Sequence, residues 1–200
     1  MADHFVLLEL LDPTVNAFLW RVREMLGRKP SRSPIHVTIR GPYEEPKTDV
    51  LESVARALRQ DVFRIAGVGR FTNGDDQVVF FRVDSPHLRS VWWKRDYPIE
   101  RFGFEPHITL YRGRDSKFAA LIARFLKSEN IELLCAEHRL VWHDPEQPNL
   151  LSIRVPSTGD LQAMVLSGEM GQIDVSVFDR LQEAIDHYRQ TELMGIRNDG

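Results

Sequence analysis

Pro34-Ile35-His36-Val37-Thr38-Ile39 and Glu105-Pro106-His107-Ile108-Thr109-Leu110 are one signature written twice. Each reads histidine, aliphatic, threonine, aliphatic shortly after a proline, in a run that predicts a strand. The histidines lie 71 residues apart; each copy follows a helix-containing stretch and precedes a glycine, Gly41 or Gly113, and then another helix. That recurrence is the trace of an internal duplication into two lobes. Strand side chains alternate between faces, so His36 and Thr38 share one face while Val37 and Ile39 take the other. The same alternation pairs His107 with Thr109. Two such strands brought together across a pseudo-twofold axis present two imidazoles and two hydroxyls to one cleft.

Working outward, Phe5 to Leu11 is a short apolar run that predicts a buried strand. Asp12 or Thr14 caps a helix in which Val15, Phe18, Leu19, Val22, Met25 and Leu26 recur at i, i+3, i+4 spacing, ending at Gly27. Pro30 to Pro34 form a loop. Thr48 or Asp49 caps a second helix through Leu51, Val54, Ala55 and Leu58. Val62 to Phe71 and Gln77 to Val83 flank Thr72-Asn73-Gly74-Asp75, an Asn-Gly hairpin. Pro86 opens a short helical turn into Trp92-Trp93, where core or edge packing is favoured over lending an aromatic to a nucleotide. Phe104 to Tyr111 predicts a strand and Lys117 to Leu126 a helix. Ile131 to Trp142 and Leu150 to Val155 predict a last pair of strands joined through Asp144 to Asn149. Hairpins interrupt any regular βαβ alternation, so the pattern predicts an α+β fold. It is bilobal, with two antiparallel sheets flanking a central cleft and helices outside. Phe178, Leu181, Ile185 and Tyr188 then mark an amphipathic helix, with Asp174 or Ser176 as cap and Gly195 as stop. The division expected is a bilobal domain over 1–158 and an acidic helical extension over 159–200. The extension has three open uses: docking on its own body, self-association, or covering a basic patch.

The chain has 200 residues, 42% hydrophobic and 28% charged, with a net charge of −3. Those proportions describe a folded, soluble chain, and the charge excludes a binder that coats long nucleic acid. The distribution matters more than the total. Residues 160–200 hold eight acids and three arginines, a local −5, which leaves +2 for residues 1–159. The lone cysteine, Cys135, allows no internal disulfide or paired-cysteine zinc site. No long uncharged apolar stretch predicts a membrane span. The chain is read as cytoplasmic.

Two histidines suit in-line displacement at phosphorus: a neutral ring accepts a proton from the nucleophile while a charged ring donates one to the leaving oxygen. Threonine hydroxyls can donate to the non-bridging oxygens, where charge is held. Metal binding is the rival use, but neither motif brings a second ligand except threonine, so no metal and no cofactor are read. The other histidines (His4, His87, His138, His143 and His187) have no matched context and are read as structural. Gly67-Val68-Gly69 is too short for a nucleotide loop. Arg64, Arg70 and Arg82 on the hairpin are either a basic rim or a solvated face.

His36-Val37-Thr38-Ile39 and His107-Ile108-Thr109-Leu110 resemble the paired motifs of the 2H phosphoesterase superfamily. It includes 2′-5′ RNA ligase-like proteins and 2′,3′-cyclic nucleotide phosphodiesterases. The resemblance covers residues 1–156. It implies metal-independent opening of 2′,3′-cyclic phosphates on RNA ends or nucleotides, with His36, Thr38, His107 and Thr109 catalytic. Ligation of RNA ends through a 2′-5′ bond and non-catalytic binding of RNA or a cyclic nucleotide are the alternatives. Arg112 enters as a substrate-binding residue through the resemblance. Strand parity adds Arg40 and Tyr111 on the catalytic face, and Tyr43 is placed to stack on a base. Parity turns Arg112 away unless the strand ends or bulges at Gly113.

Overall fold

Val6, Leu8 and Leu10 alternate along β1 (His4–Leu10) and all enter the core, which fixes that strand's buried face. Asp12 then caps α1 (Pro13–Met25): its carboxylate accepts from the Val15 N–H at 3.0 Å, and Pro13 fills the first turn, where no N–H is needed. Gly27 follows with φ of 77°, the left-handed conformation that ends helices. The structure, a computed structural model, describes residues 3–27, 35–94, 98–143 and 173–198. The expected Pro30–Pro34 loop, the Asp144–Asn149 connection, the strand at Leu150–Val155 and the boundary at 158/159 lie outside these residues, wholly or in greater part.

The chain continues through β2 (His36–Tyr43), α2 (Thr48–Leu58), β3 (Phe63–Asn73) and β4 (Asp76–Asp84). Next come α3 (Leu88–Val91), β5 (Trp93–Lys94), α4 (Ile99–Phe102), β6 (His107–Gly113), α5 (Ser116–Ser128), β7 (Glu132–Cys135), β8 (His138–His143) and α6 (Ser176–Asn198). The strands form two four-stranded sheets, ordered β5-β2-β1-β8 and β6-β4-β3-β7. The fold is α+β, with the expected pair of sheets, one for each motif, and the expected C-terminal helix. One pairing departs from the antiparallel expectation. β5 runs parallel to β2, because the chain returns to the first sheet only after building the β3–β4 hairpin of the second. That hairpin turns at Gly74-Asp75, with Asn73 paired to Asp76.

Three further expectations are corrected. The run Ile131 to Trp142 is two strands, not one. It breaks at Ala136-Glu137, so that β7 pairs with β3 in the second sheet while β8 pairs with β1 in the first. The Glu137 carbonyl accepts from the Leu11 N–H at 2.8 Å and so ties this pivot to the end of β1. Helix α2 starts at Thr48 after Lys47, with no side-chain cap bond. Helix α6 runs past Gly195 to Asn198, since one glycine in a helix is only a local penalty.

The core is one cluster running through both sheets and into α6 by way of Val177, Phe178, Leu181 and Ile185. The apolar face of α6 is thus spent on its own body, with the Phe178 ring 5.4 Å from that of Phe18. Cys135 is buried, and burial raises its thiol pKa. Among the described residues no helix is long and apolar enough to cross a membrane.

Candidate active site

Strands β2 and β6 approach each other where the sheets meet, and there His36, Thr38, His107 and Thr109 line one cleft. Within each motif the intervening aliphatics, Val37 and Ile39 or Ile108 and Leu110, are fully buried. The alternation read from the sequence therefore holds across all four motif residues. The cleft encloses about 90 Å³, well below the ~300–1,000 Å³ of sites that engulf a whole small molecule. It suits one compact group whose substituents extend over the sheet faces.

Both motifs break register immediately after the threonine. In β2, Thr38 faces Leu7 but Arg40 faces Val6, leaving Ile39 as an extra residue. In β6, Thr109 faces Phe80 but Tyr111 faces Val79, leaving Leu110 extra. Each is a bulge, and the duplication thus extends to an irregularity of the backbone. Beside each bulge the threonine carbonyl accepts from a side chain that also lines the cleft. Trp92 Nε1 donates to the Thr38 carbonyl at 3.1 Å, and Arg23 Nε donates to that of Thr109 at 2.8 Å. Both donors are almost fully buried. Each motif is held from below by a residue 54 or 86 positions away in sequence.

The two histidines sit in different electrostatic surroundings. The cross-strand partner of His36 is Glu9, which is 1% exposed and accepts from Arg139 Nε at 2.5 Å. The cross-strand partner of His107 is Arg82. His107 Nδ1 donates to the Glu105 carbonyl at 2.8 Å, and since a carbonyl only accepts, the proton of the neutral ring stays on Nδ1 and Nε2 carries the lone pair. Burial pushes the His107 pKa below its ordinary 6.5; the Glu105 carbonyl opposes this and the nearby Lys94 charge reinforces it. Among the described residues, Lys94 and Arg23 are the cations of the cleft lining, and no carboxylate lines it. Among the described residues no three His, Cys, Asp or Glu side chains are grouped to hold a metal ion.

A family model described as the 2′-5′ RNA ligase superfamily matches residues 11–147, which span both motifs and the elements that carry them. The chain belongs to the 2′-5′ RNA ligase superfamily, within the 2H phosphoesterases. Neither the curated proteins nor the solved structures include a match to it.

In this superfamily member the bulges redirect the side chains that parity had placed on the cleft. Tyr111 shares a face with Val79, a core residue, and its ring packs edge-on against Phe118 at 5.3 Å. Arg40 lies opposite Val6, also a core residue, and its buried Nε has no hydrogen-bond partner among the described residues. Arg112 is carried to the face of Val78, a bulge three residues before Gly113 having reversed the parity, and its Nε donates to Asp76 at 2.7 Å. Tyr43 packs against Trp93 and Trp142, with Lys47 over its ring at 5.8 Å. None of these four is part of the cleft lining.

Arg23 and Lys94 went unread as site residues, and Trp92 was read as packing in preference to an aromatic for a nucleotide. Arg23 carried a usable signal: α1 is buried around most of its circumference, from Val15 through Trp20 to Met25. Of its two arginines, Arg21 pairs with Glu24 at the surface, and a cation buried in such a helix, as Arg23 is, must meet a buried acceptor or anion. Trp92 and Lys94 share parity on a segment too short for periodicity to reveal.

Proposed function

We propose that this protein opens 2′,3′-cyclic phosphates on RNA ends or nucleotides by a metal-independent displacement at phosphorus. The observation that carries this reading is the cleft lining. Two imidazoles, two hydroxyls and two cations converge, with no carboxylate among the described lining residues, a set matched to a phosphodiester anion rather than to a metal or a neutral ester.

The surroundings of the histidines divide the work. His107 is the base: its Nε2 lone pair is fixed by the bond from Nδ1, and burial keeps the ring neutral. His36, across the ladder from the buried Glu9 carboxylate, is the acid. In hydrolysis, water adds to phosphorus as His107 Nε2 takes its proton. The bond to one ribose oxygen breaks, and that oxygen receives the proton of the His36 ring. The product is a phosphate monoester, and solvent resets both rings. Thr38 and Thr109 donate to the non-bridging oxygens, while Arg23 and Lys94 balance their charge.

Replacing His36 or His107 with Ala should lower kcat for a 2′,3′-cyclic nucleotide by about 10²–10⁴, the usual worth of a positioned acid or base. EDTA should leave the wild-type rate unchanged. Loss of activity to chelator, restored by a divalent ion, would overturn the mechanism. Ligation is the same displacement run backwards. Incubation with RNA halves bearing a 2′,3′-cyclic phosphate and a 5′-hydroxyl, followed by a search for a 2′-5′ junction, separates it from hydrolysis. Tight binding without product after prolonged incubation would instead mark a binding protein.

A further inference from the structure

Glu9, Arg23 and Asp61 are the charged side chains buried among the described residues. Two of them have local uses. Arg23 braces the Thr109 carbonyl, and Asp61 accepts from Ser85 Oγ at 2.6 Å and from the His87 N–H at 3.0 Å, tying the α2–β3 connection to the start of α3. Glu9 is different. It interrupts an otherwise apolar buried run, Val6 to Leu10, and it is not among the cleft-lining residues. Its partner is Arg139, whose Nε donates to it at 2.5 Å. A buried ion pair is a poor source of stability beside an apolar pair of similar volume, so its place in the ladder is the informative fact. Glu9 is paired directly with His36 on β2 and with Arg139 on β8. Residues paired in this way share a face, with Cβ atoms ~4.5–5.5 Å apart. Arg139, Glu9 and His36 therefore form one row across three adjacent strands, on the face that carries the first motif into the cleft. The ladder is regular there, because the bulge of β2 comes only after Thr38.

We infer that Glu9, anchored by Arg139, is a positioning residue for His36, holding its ring in the charged form that donates the proton. This rests on the phosphodiesterase reading and adds to it the source of the donor's charge. Three observations carry it. The duplicated motif supplies an internal comparison: at the matching place beside His107 stands Arg82, so charges of opposite sign face the two histidines. Exposure weights those charges. Arg139 is 45% exposed and Arg82 48%, so solvent screens both, whereas the carboxylate of Glu9 is 1% exposed and acts on its neighbour almost unscreened. Arg139 thus satisfies the buried carboxylate, which keeps it ionised, yet cancels little of its field at His36. Finally, the other charges facing His36 are cations: Arg23 from α1 and Lys94 from β5, with His107 across the cleft. Arg40, on the same strand, is turned to the opposite face. Those cations favour a neutral ring, and Glu9 is the charge in the row that opposes them.

The test is a titration of the histidine ring resonances by NMR in the full chain without ligand, the His36 signal being the one that His36→Ala removes. Glu9→Gln keeps the shape of the side chain and takes away its charge. It should lower the His36 midpoint by roughly one pH unit, the scale of an opposite charge at this range, and leave that of His107 in place. The double variant Glu9→Gln/Arg139→Gln puts an amide link where the ion pair was and should shift His36 in the same direction. Resonances of the folded chain report the midpoint whatever fraction of a variant is folded. An unmoved or raised His36 midpoint, or equal shifts in both histidines, would overturn the assignment. Kinetics on adenosine 2′,3′-cyclic phosphate give the second readout. In Glu9→Gln the alkaline limb of the kcat/KM profile should move to lower pH by the same roughly one unit, with KM little changed. A merely structural role would instead lower the rate by one factor at every pH and leave the limb where it was, which also overturns the assignment. If the wild type does not open this substrate, the phosphodiesterase reading fails by itself, and the titration alone decides whether Glu9 holds the charge of His36.

Discussion

His107 gives up its proton more readily than an ordinary histidine because burial disfavours the charged ring. The bond to the Glu105 carbonyl works against that, and the positive charge of Lys94 works with it. A base must be neutral to act, so the acid limb of the kcat/KM profile should fall with a midpoint below 6.5. Lys94→Met removes the positive charge that helps to lower it and should move the midpoint up, while also raising KM through the lost cation. An unmoved midpoint would show that Lys94 serves the substrate alone. Stability follows the same sign. Between the lowered folded value and 6.5 the unfolded chain binds more protons, so His107 destabilises the fold progressively as pH drops through that window. None of this asymmetry between the histidines was legible in the sequence, where the two motifs are nearly identical. It arises from burial, the Glu105 carbonyl and Lys94 around His107, and the cross-strand neighbours, Glu9 for His36 and Arg82 for His107, differ as well in a way that only register supplies.

The bulges belong to the level of the strand. A period-two reading identified His36, Thr38, His107 and Thr109 as cleft residues because the ladder is regular that far, and it misplaced Arg40 and Tyr111 because one extra residue reverses every side chain beyond it. No local feature of Ile39 or Leu110 announces a bulge. The hairpin at Gly74 and the helix from Asp12 to Gly27 were legible because turn and cap chemistry is local. The break at Ala136-Glu137 was not, since it depends on two sheets competing for one chain. The side-chain donors beneath the bulges give a prediction at this scale. Arg23→Met and Trp92→Phe each leave a threonine carbonyl without its donor, a penalty of about 1–3 kcal/mol. Activity should fall roughly 10-fold or more if the carbonyl bond sets the threonine's position. Arg23→Lys should recover little, because an ammonium cannot reproduce the fixed Nε geometry. Thermal melts separate the stability loss from the rate loss, and full activity in both variants would show that the bulges hold themselves.

For the molecule as a whole, α6 is a structural member although it follows the segment matched by the family model. It contributes Phe178, Leu181 and Ile185 to the core, and Tyr188 donates to Asp115 at 2.8 Å, the residue that caps α5. Phe178→Ala should therefore cost about 3–5 kcal/mol in denaturant unfolding, as for a buried aromatic elsewhere. A change near zero would mean the helix is only loosely attached. Of the acids of the C-terminal region, read at first as the mark of an appended segment, Asp179 and Glu183 are exposed on a helix whose other side closes the core. The order of strands in the first sheet has a consequence for how the chain is made. β1 and β2 emerge early, β5 arrives after the whole β3–β4 hairpin, and β8 comes after everything in the second sheet. During synthesis the Thr38 carbonyl waits 54 residues for Trp92, while Arg23 is made 86 residues before the carbonyl it will hold. Neither half of the duplication can finish its own sheet or brace its own motif. A ribosome-bound chain stopped before residue 138 has both signatures and every described cleft-lining residue written out, while its first sheet still lacks β8.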